Sequence, residues 1–325
     1  VPQNLNLSLS DRPSHIPVLL NAVLETLCPE AGPEAGKVYV DATLGAGGHS
    51  KAILERMGNA GFLLGIDQDP VALKMATERL LPFGSAFQPI AGNFSEIGRL
   101  LPSGFLPITG GILADIGVSS MQLDQAERGF SFSKQAALDM RMNPESPLTA
   151  AEVINTYSEA DLLRIFSEYG EEHMSKTLAR EIVAHRKTHL FETTLDLAGF
   201  IAEQYKRVGK HEKIHPATRV FQALRIEVND ELGSLKRFLE SLPALLAPGA
   251  KILVISFHSL EDRIIKDFFK TQSRDCICPP RLPICQCHHR ATLKLPKGQP
   301  IEATEAEIKM NPRSRSAKLR VAVRV

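Results

Sequence analysis

VYVDATLGAGGHSKAILERMGNAGFLLGIDQDP, residues 38–70, decides how the chain folds. Val38, Tyr39 and Val40 are β-branched or aromatic and run straight into Asp41, the pattern of a buried strand that ends in a carboxylate. Gly45, Gly47 and Gly48 mark the turn that follows. Without a Cβ the backbone there reaches positive φ and lets a ligand lie against the main chain, and a helix opening near His49 aims its free N–H groups at the same place. A second apolar run, residues 62–66, ends at Asp67, about 20 residues past the turn, where nucleotide-binding folds put the carboxylate that holds ribose hydroxyls. The spacing predicts a strand, turn, helix and strand wrapped around a nucleoside pocket.

A dinucleotide fingerprint requires a third glycine three positions after the second, and Ser50 stands there. The run Asp41-x-Thr43-x-Gly45-x-Gly47 instead resembles the acid-then-glycine loop of class I S-adenosylmethionine methyltransferases, with Thr43 where many of them carry a first glycine. The resemblance implies a loop that accommodates the methionine end of a sulfonium nucleoside, with Asp41 near its ammonium. An ordinary α/β turn would use glycines for tightness alone. It would not need two strand-end acids in the same βαβ unit.

With 43% hydrophobic and 23% charged residues in 325, the composition is that of an ordinary globular protein with a sizeable core. No run of 18 apolar residues occurs and residues 1–17 are polar, so the sequence predicts no membrane span and no signal peptide, and a cytoplasmic location. The net charge of +1 conceals segregation. Residues 1–175 carry 11 Lys and Arg against 21 Asp and Glu, residues 176–225 carry 10 against 5, and residues 290–325 carry 9 against 3. Two basic segments in an otherwise acidic chain suit a local phosphate-binding surface, although solvated helix faces are commonly basic as well.

Residues 14–27 read as an amphipathic helix, 71–81 as a second, and 86–91 as a third strand leading to Gly92-Asn93-Phe94, where Phe94 is placed either to cover an adenine ring or to fill the core. Residues 111–115 form a fourth strand that ends in Asp115. Ligands of open α/β sheets bind beyond the carboxyl ends of the strands, so Asp41, Asp67 and Asp115 are expected to line one crevice.

DATLGAGGH, GIDQDP, GNF, DIGVSSMQLD, ERGFSF, LDMRM, HPATRVFQALRI, VND and ISFHSLEDR occur in that order, and NPRSRSAKLR closes the set. Together they closely resemble the bacterial ribosomal RNA small-subunit methyltransferase H family. The resemblance covers residues 14–320. It implies S-adenosylmethionine-dependent methylation of N4 of a cytidine in 16S rRNA near the ribosomal P site, with the small ribosomal subunit as partner. Carried over residue by residue, it implies cofactor contacts from Gly47, Gly48, His49, Asp67, Phe94, Asp115 and Gln122. The fold it implies is Rossmann-like α/β, class I, with an inserted α-helical domain: residues 14–125 and 217–325 form the methyltransferase domain and residues 126–216 the insert.

The residues themselves agree, because strand–helix alternation stops after residue 126 and residues 159–169, 175–186 and 194–205 carry apolar positions at helical spacing. Lys187, Lys206 and Arg207 in the insert, Arg219 and Arg225 after it, and Arg315 in the tail are the candidates for gripping RNA. Residues 251–257 predict a fifth strand that ends at His258. His258 and Glu261 are then candidates for taking the amine proton beside Asp115, and Ser259 with Asp262 resembles a helix cap.

Cys276, Cys278, Cys285 and Cys287 with His288 and His289 crowd one Pro-rich loop. Structural zinc usually takes C-x₂₋₄-C pairs, so the one-residue spacing runs against it, and no metal is expected. A DNA N4-cytosine methyltransferase would carry an acid-or-serine, proline, proline, aromatic motif where this chain has Asp115-Ile116-Gly117-Val118. A nicotinamide dehydrogenase is disfavoured by Ser50. A non-catalytic RNA-binding or assembly protein that kept a pocket is the alternative of a different class. The sequence leaves a homodimer open.

Overall fold

The computed structural model describes residues 16–28, 36–58, 60–209, 214–279, 282 and 284–325. Ser14 and His15, the expected start of the first helix, lie outside them, as do the turn expected at 29–35 and Lys210 and Lys213; residues 16–19 precede the helix, which runs Leu20–Leu27. Among the described residues, eight strands form one sheet: β1 (Lys37–Asp41), β2 (Gly61–Asp67), β3 (Phe87–Ala91), β4 (Gly111–Asp115), β5 (Lys251–Ser256), β6 (Leu293–Lys294), β7 (Ile301–Glu302) and β8 (Lys318–Arg324). The order is β3-β2-β1-β4-β5-β8-β6, with β7 also paired to β8. Strands β1 to β5 are mutually parallel, and β8 runs antiparallel to β5. The chain leaves β1 toward β2 and later returns to its other side at β4, which creates the switch point where open sheets bind ligands.

Alternation along each strand assigns the two faces. Val38, Val40, Ile112, Ala114, Ile252 and Val254 meet the helices Glu231–Leu245 and Ser259–Gln272. Tyr39, Leu63, Leu113, Leu253 and Ile255 meet the helices Leu20–Leu27, Gly48–Met57 and Pro70–Leu80 on the other side. A third apolar cluster belongs to the helices Ala150–Thr156, Glu159–Glu168, Ser175–His185 and Thr194–Arg207, and it contains Phe166, Leu178, Phe191 and Ile201. The helix Ala217–Asn229 packs in this helical cluster through Val220, Phe221 and Leu224. Asp230, left-handed at φ 46, separates it from the helix Glu231–Leu245, which packs on the sheet.

Two long-range ties and one local pair brace the helical cluster and the sheet edge. Asn229 donates to the carbonyls of Met140 and Arg225 and accepts from the N–H of Met142. Arg141 grips Asp139 with two 2.8 Å bonds. At the edge, Arg320 of β8 grips Asp262 with bonds of 2.6 and 3.0 Å, which assigns this arginine to bracing the sheet. Among the described residues, no helix is long and apolar enough to cross a membrane.

Candidate active site

A cavity of about 690 Å³ opens at the carboxyl ends of β1, β2 and β4, within the size range of sites for nucleoside-sized ligands. Gly45 lines it at φ 52, and nothing lies closer than 4.0 Å to the position its Cβ would take. A side chain there would be strained and would fill the cradle instead. Gly47 has a different task. At φ 76 it is the N-cap of Gly48–Met57 and packs with Ala76 3.3 Å from its would-be Cβ, outside the cavity wall. Gly48 lines the wall under Pro17.

Asp67 ends β2 and lines the cavity. Its carboxylate accepts the N–H of Gly45 at 2.7 Å and of Asp69 at 2.9 Å, which fixes both oxygens while lone pairs remain for a ribose. Burial pushes its pKa up to about 6, against the lowering effect of those two N–H groups. Asp67→Ala is therefore expected to weaken S-adenosylmethionine binding about 10- to 100-fold, the loss of hydrogen bonds to a charged group, as read by calorimetry. Phe94 lines the cavity while its ring stands edge-on to Phe238 at 5.2 Å, so it belongs to the cavity wall and to the core at once.

Asp41 sits elsewhere than its expected place beside an ammonium. Its carboxylate is fully buried beneath the loop, accepts from Ser50 Oγ at 2.7 Å and Thr43 N–H at 3.2 Å, and does not line the cavity. It shapes the turn from below. Gln122 lines the cavity but is engaged at both ends: Oε1 accepts the Ser119 N–H, and Nε2 donates to Asp69.

Asp69 is a hub that sequence reasoning missed. Completely buried, it caps the helix Pro70–Leu80 through the Val71 N–H and accepts from Gln122 and, at 2.9 Å, from Arg128. Arg128 also donates to the carbonyls of Arg141 and Met142, and Met142 lines the cavity. The ERGFSF and LDMRM stretches are thereby strapped to the cofactor loop.

Asp115 ends β4 in the cavity wall. Thr43 Oγ1 accepts its backbone N–H at 2.6 Å, Oδ2 lies 3.8 Å from His49 Nδ1, and Oδ1 is buried with no hydrogen-bond partner. His49 Nε2 lies 2.9 Å from the Val18 carbonyl, which only accepts, so Nε2 is a donor there and Nδ1 faces Asp115. Burial pushes Asp115 up to about 6; His49 opposes this, and Asp41 and Glu261 add to it.

His258 and Glu261 differ from expectation. Neither lines the cavity. His258, not Ser259, is the N-cap of Ser259–Gln272, and Glu261 Oε2 reaches back to the N–H groups of Phe257 at 2.8 Å and His258 at 3.4 Å. Glu261 Oε1 lies 3.1 Å from His258 Nε2. Glu261 Oε2 closes the end of β5, while Glu261 Oε1 and both ring nitrogens of His258 are buried without a hydrogen-bond partner among the described residues.

Arg225 also departs from its expected place on an RNA-facing surface. It lines the cavity and is locked to Glu231 by bonds of 2.8 and 2.9 Å, because the left-handed turn at Asp230 folds Glu231 back onto the preceding helix. Lys187, Lys206 and Arg315 are exposed, Arg207 pairs with Glu203 on the surface, and Arg219 is half-buried.

A profile of the MraW methylase family matches residues 12–325. The chain belongs to the MraW methylase family. Curated relatives are similar along its whole length. "Ribosomal RNA small subunit methyltransferase H" of Geobacter sulfurreducens is 51% identical, over 95% of this chain and 98% of the relative. The proteins of the same name from Heliobacterium mobile, 48% identical over 96% and 99%, and Carboxydothermus hydrogenoformans, 49% identical over 95% and 97%, are similar to it in the same way. Membership of this methylase family together with the sheet order bears out the expected Rossmann-like, class I S-adenosylmethionine-dependent methyltransferase fold and its cofactor. The residues present fit that cofactor: a side-chain-free cradle at Gly45 and an oriented carboxylate at Asp67.

Proposed function

We propose that this MraW-family chain methylates the exocyclic N4 amine of a cytidine in 16S rRNA of the small ribosomal subunit, near the P site. The observation that carries the reading is Asp115, whose carboxylate lines the β4 end of the cavity with 24% of the side chain open and with Oδ1 lacking a partner within the protein's described residues. An orphaned buried carboxylate oxygen costs free energy that a donor from the substrate recovers, and the cytosine amine is such a donor. The names of the curated relatives support the ribosomal substrate.

S-adenosylmethionine supplies an electrophilic methyl group on its sulfonium sulfur. Asp67 holds the nucleoside end, and Gly45 and Gly48 let the backbone close on it. Asp115 accepts a hydrogen bond from the amine, whose lone pair is otherwise delocalised into the ring, and favours the positive charge that grows on nitrogen. Holding amine and methyl in line contributes on the order of 7–11 kcal/mol. The proton displaced from the methylated nitrogen passes to Asp115, with His49 Nδ1 3.8 Å beyond as the next acceptor. Glu261 and His258 act as positioning residues for the β5 turn. The target base leaves its stack to enter the cavity.

The helical unit, residues 126–216 with the helix Ala217–Asn229 as its connection to the sheet, is the RNA-facing wall in this reading. Lys187 and Lys206 stand exposed on it. Replacing both with alanine is expected to weaken binding to small subunits without base preference and to lower the slope of log K against log salt by about 1 for each phosphate left unneutralised, with cofactor affinity unchanged.

The function is tested by incubating the protein with small subunits that lack methyl marks and with isotope-labelled S-adenosylmethionine, then resolving the digested nucleosides by mass spectrometry. Labelled N4-methylcytidine is expected. Label in another nucleoside, or none beside normal cofactor binding, contradicts the reading.

A further inference from the structure

The segment between the helix Ser259–Gln272 and β6 has no core of its own. Among its described residues from 273 to 292 none is buried, none belongs to a helix or strand, and its apolar side chains Ile277 and Ile284 are 47% and 74% exposed. Fixing each residue costs about 1–2 kcal/mol of backbone entropy, and apolar burial does not offset that here. Chains that cannot bury a core are held by disulfides or metals. The base of the segment is closed by Thr292, whose N–H donates to the Gln272 carbonyl at 2.8 Å and whose hydroxyl donates to Gln272 Oε1 at 2.7 Å. Its tip is where the cysteines meet.

Cys276 Sγ lies 3.6 Å from Cys285 Sγ and 3.8 Å from Cys287 Sγ, and the last two are 3.6 Å apart. Cys278 completes a set whose sulfurs all fall within 4.8 Å of one another. A disulfide needs sulfurs about 2.05 Å apart, so these thiols are not bonded to each other. A tetrahedral ion with zinc–sulfur bonds of about 2.3 Å has sulfur–sulfur edges of about 3.8 Å, which the distances among Cys276, Cys285 and Cys287 match.

The two Cys-x-Cys arms also brace each other across the site. The N–H of Ile277, in the first arm, donates to Cys287 Sγ, and the N–H of Gln286, in the second, donates to Cys278 Sγ, both at 3.4 Å. Such bonds from the surrounding backbone orient metal-bound thiolates. His289 Nε2 lies 3.2 Å from the Thr271 carbonyl, which assigns that imidazole to the preceding helix and leaves the four sulfurs as the donor set.

Soft thiolates at tetrahedral spacing select zinc over calcium or magnesium, and sulfurs this close enclose one ion instead of an iron–sulfur cluster. We propose that Cys276, Cys278, Cys285 and Cys287 bind one structural zinc ion as a tetrathiolate that staples residues 273–292 against the end of the sheet. The one-residue spacing that ran against zinc in the sequence is met by two arms facing each other, each giving two ligands. Binding converts thiols to thiolates and releases their protons to solvent.

The test is the metal content and thiol count of the full chain, purified without chelators and analysed by inductively coupled plasma mass spectrometry. One zinc per chain is expected, with the four thiols protected from a thiol reagent until the metal is displaced. Replacement by Co²⁺ should give the intense visible bands of a tetrahedral thiolate site. Cys285→Ser should lose the zinc and open residues 273–292 to limited proteolysis, with S-adenosylmethionine affinity unchanged. Metal-free protein with four freely reactive thiols, iron in place of zinc, thiols lost to disulfides, or full zinc retention by Cys285→Ser each overturns the proposal.

Discussion

Asp115→Asn is expected to lower the rate of methyl transfer about 10²- to 10³-fold while S-adenosylmethionine affinity changes little, because the lost interaction develops at the reacting amine. The parent's own pH profile should show the same group. With its pKa raised to about 6, Asp115 is ionised at pH 7 and is protonated as the pH falls through 6, so the rate should fall there. In Asp115→Asn that step should vanish. Stability should move the opposite way. The folded-state pKa lies above the ordinary 3.8, so the ionised carboxylate opposes folding at neutral pH, and this penalty fades as the pH drops from about 6 toward 4. The side chain keeps 24% of its surface open to the cavity, which holds the effect below the full value of about 3 kcal/mol for two pKa units. The cofactor-free asparagine variant should therefore be about 1–3 kcal/mol more stable at pH 7 and no more stable near pH 4, as read by denaturant unfolding.

Asp69→Ala should be the most destabilising single change near the site. It leaves the guanidinium of Arg128, only 14% exposed, without its carboxylate, frees Gln122 Nε2, and removes the cap of the helix Pro70–Leu80. Breaking a buried pair from one side costs about 3–5 kcal/mol, and losing a helix cap about 1 more. Thermal unfolding should shift down by several degrees and recover in part with saturating S-adenosylmethionine, which binds only the folded state. Arg128→Met, which removes the charge while filling the space, should cost less than Asp69→Ala.

The sheet was legible because its strands advertise themselves. Val38, Val40, Ile112 and Val254 alternate with residues of the other face, and a carboxylate closes β1, β2 and β4 at the residues read from the sequence. The helices of the insert were legible from their 3.6-residue period, with ends displaced by a residue or two. Roles set by long-range geometry were not. Asp69 and Arg128 are 59 positions apart, and no local pattern pairs them. Arg225 reads as a basic residue on a basic helix, and only the left-handed turn at Asp230 brings Glu231 back to neutralise it. Asp41 looks like a ligand in one dimension, yet the loop folds over it and Ser50 takes its oxygen. The cysteines announced a cluster, but spacing along the chain said nothing of two arms meeting across space.

The β4 end of the cavity should receive the cytosine amine, and a crystal structure of the protein with S-adenosylhomocysteine and a cytidine nucleotide measures this directly. N4 of the base is expected within about 3 Å of Asp115 Oδ1, its lone pair turned toward the sulfur. A base bound on the helical unit away from Asp115, or one that presents a ring carbon or a ribose oxygen to the sulfur, contradicts the assignment.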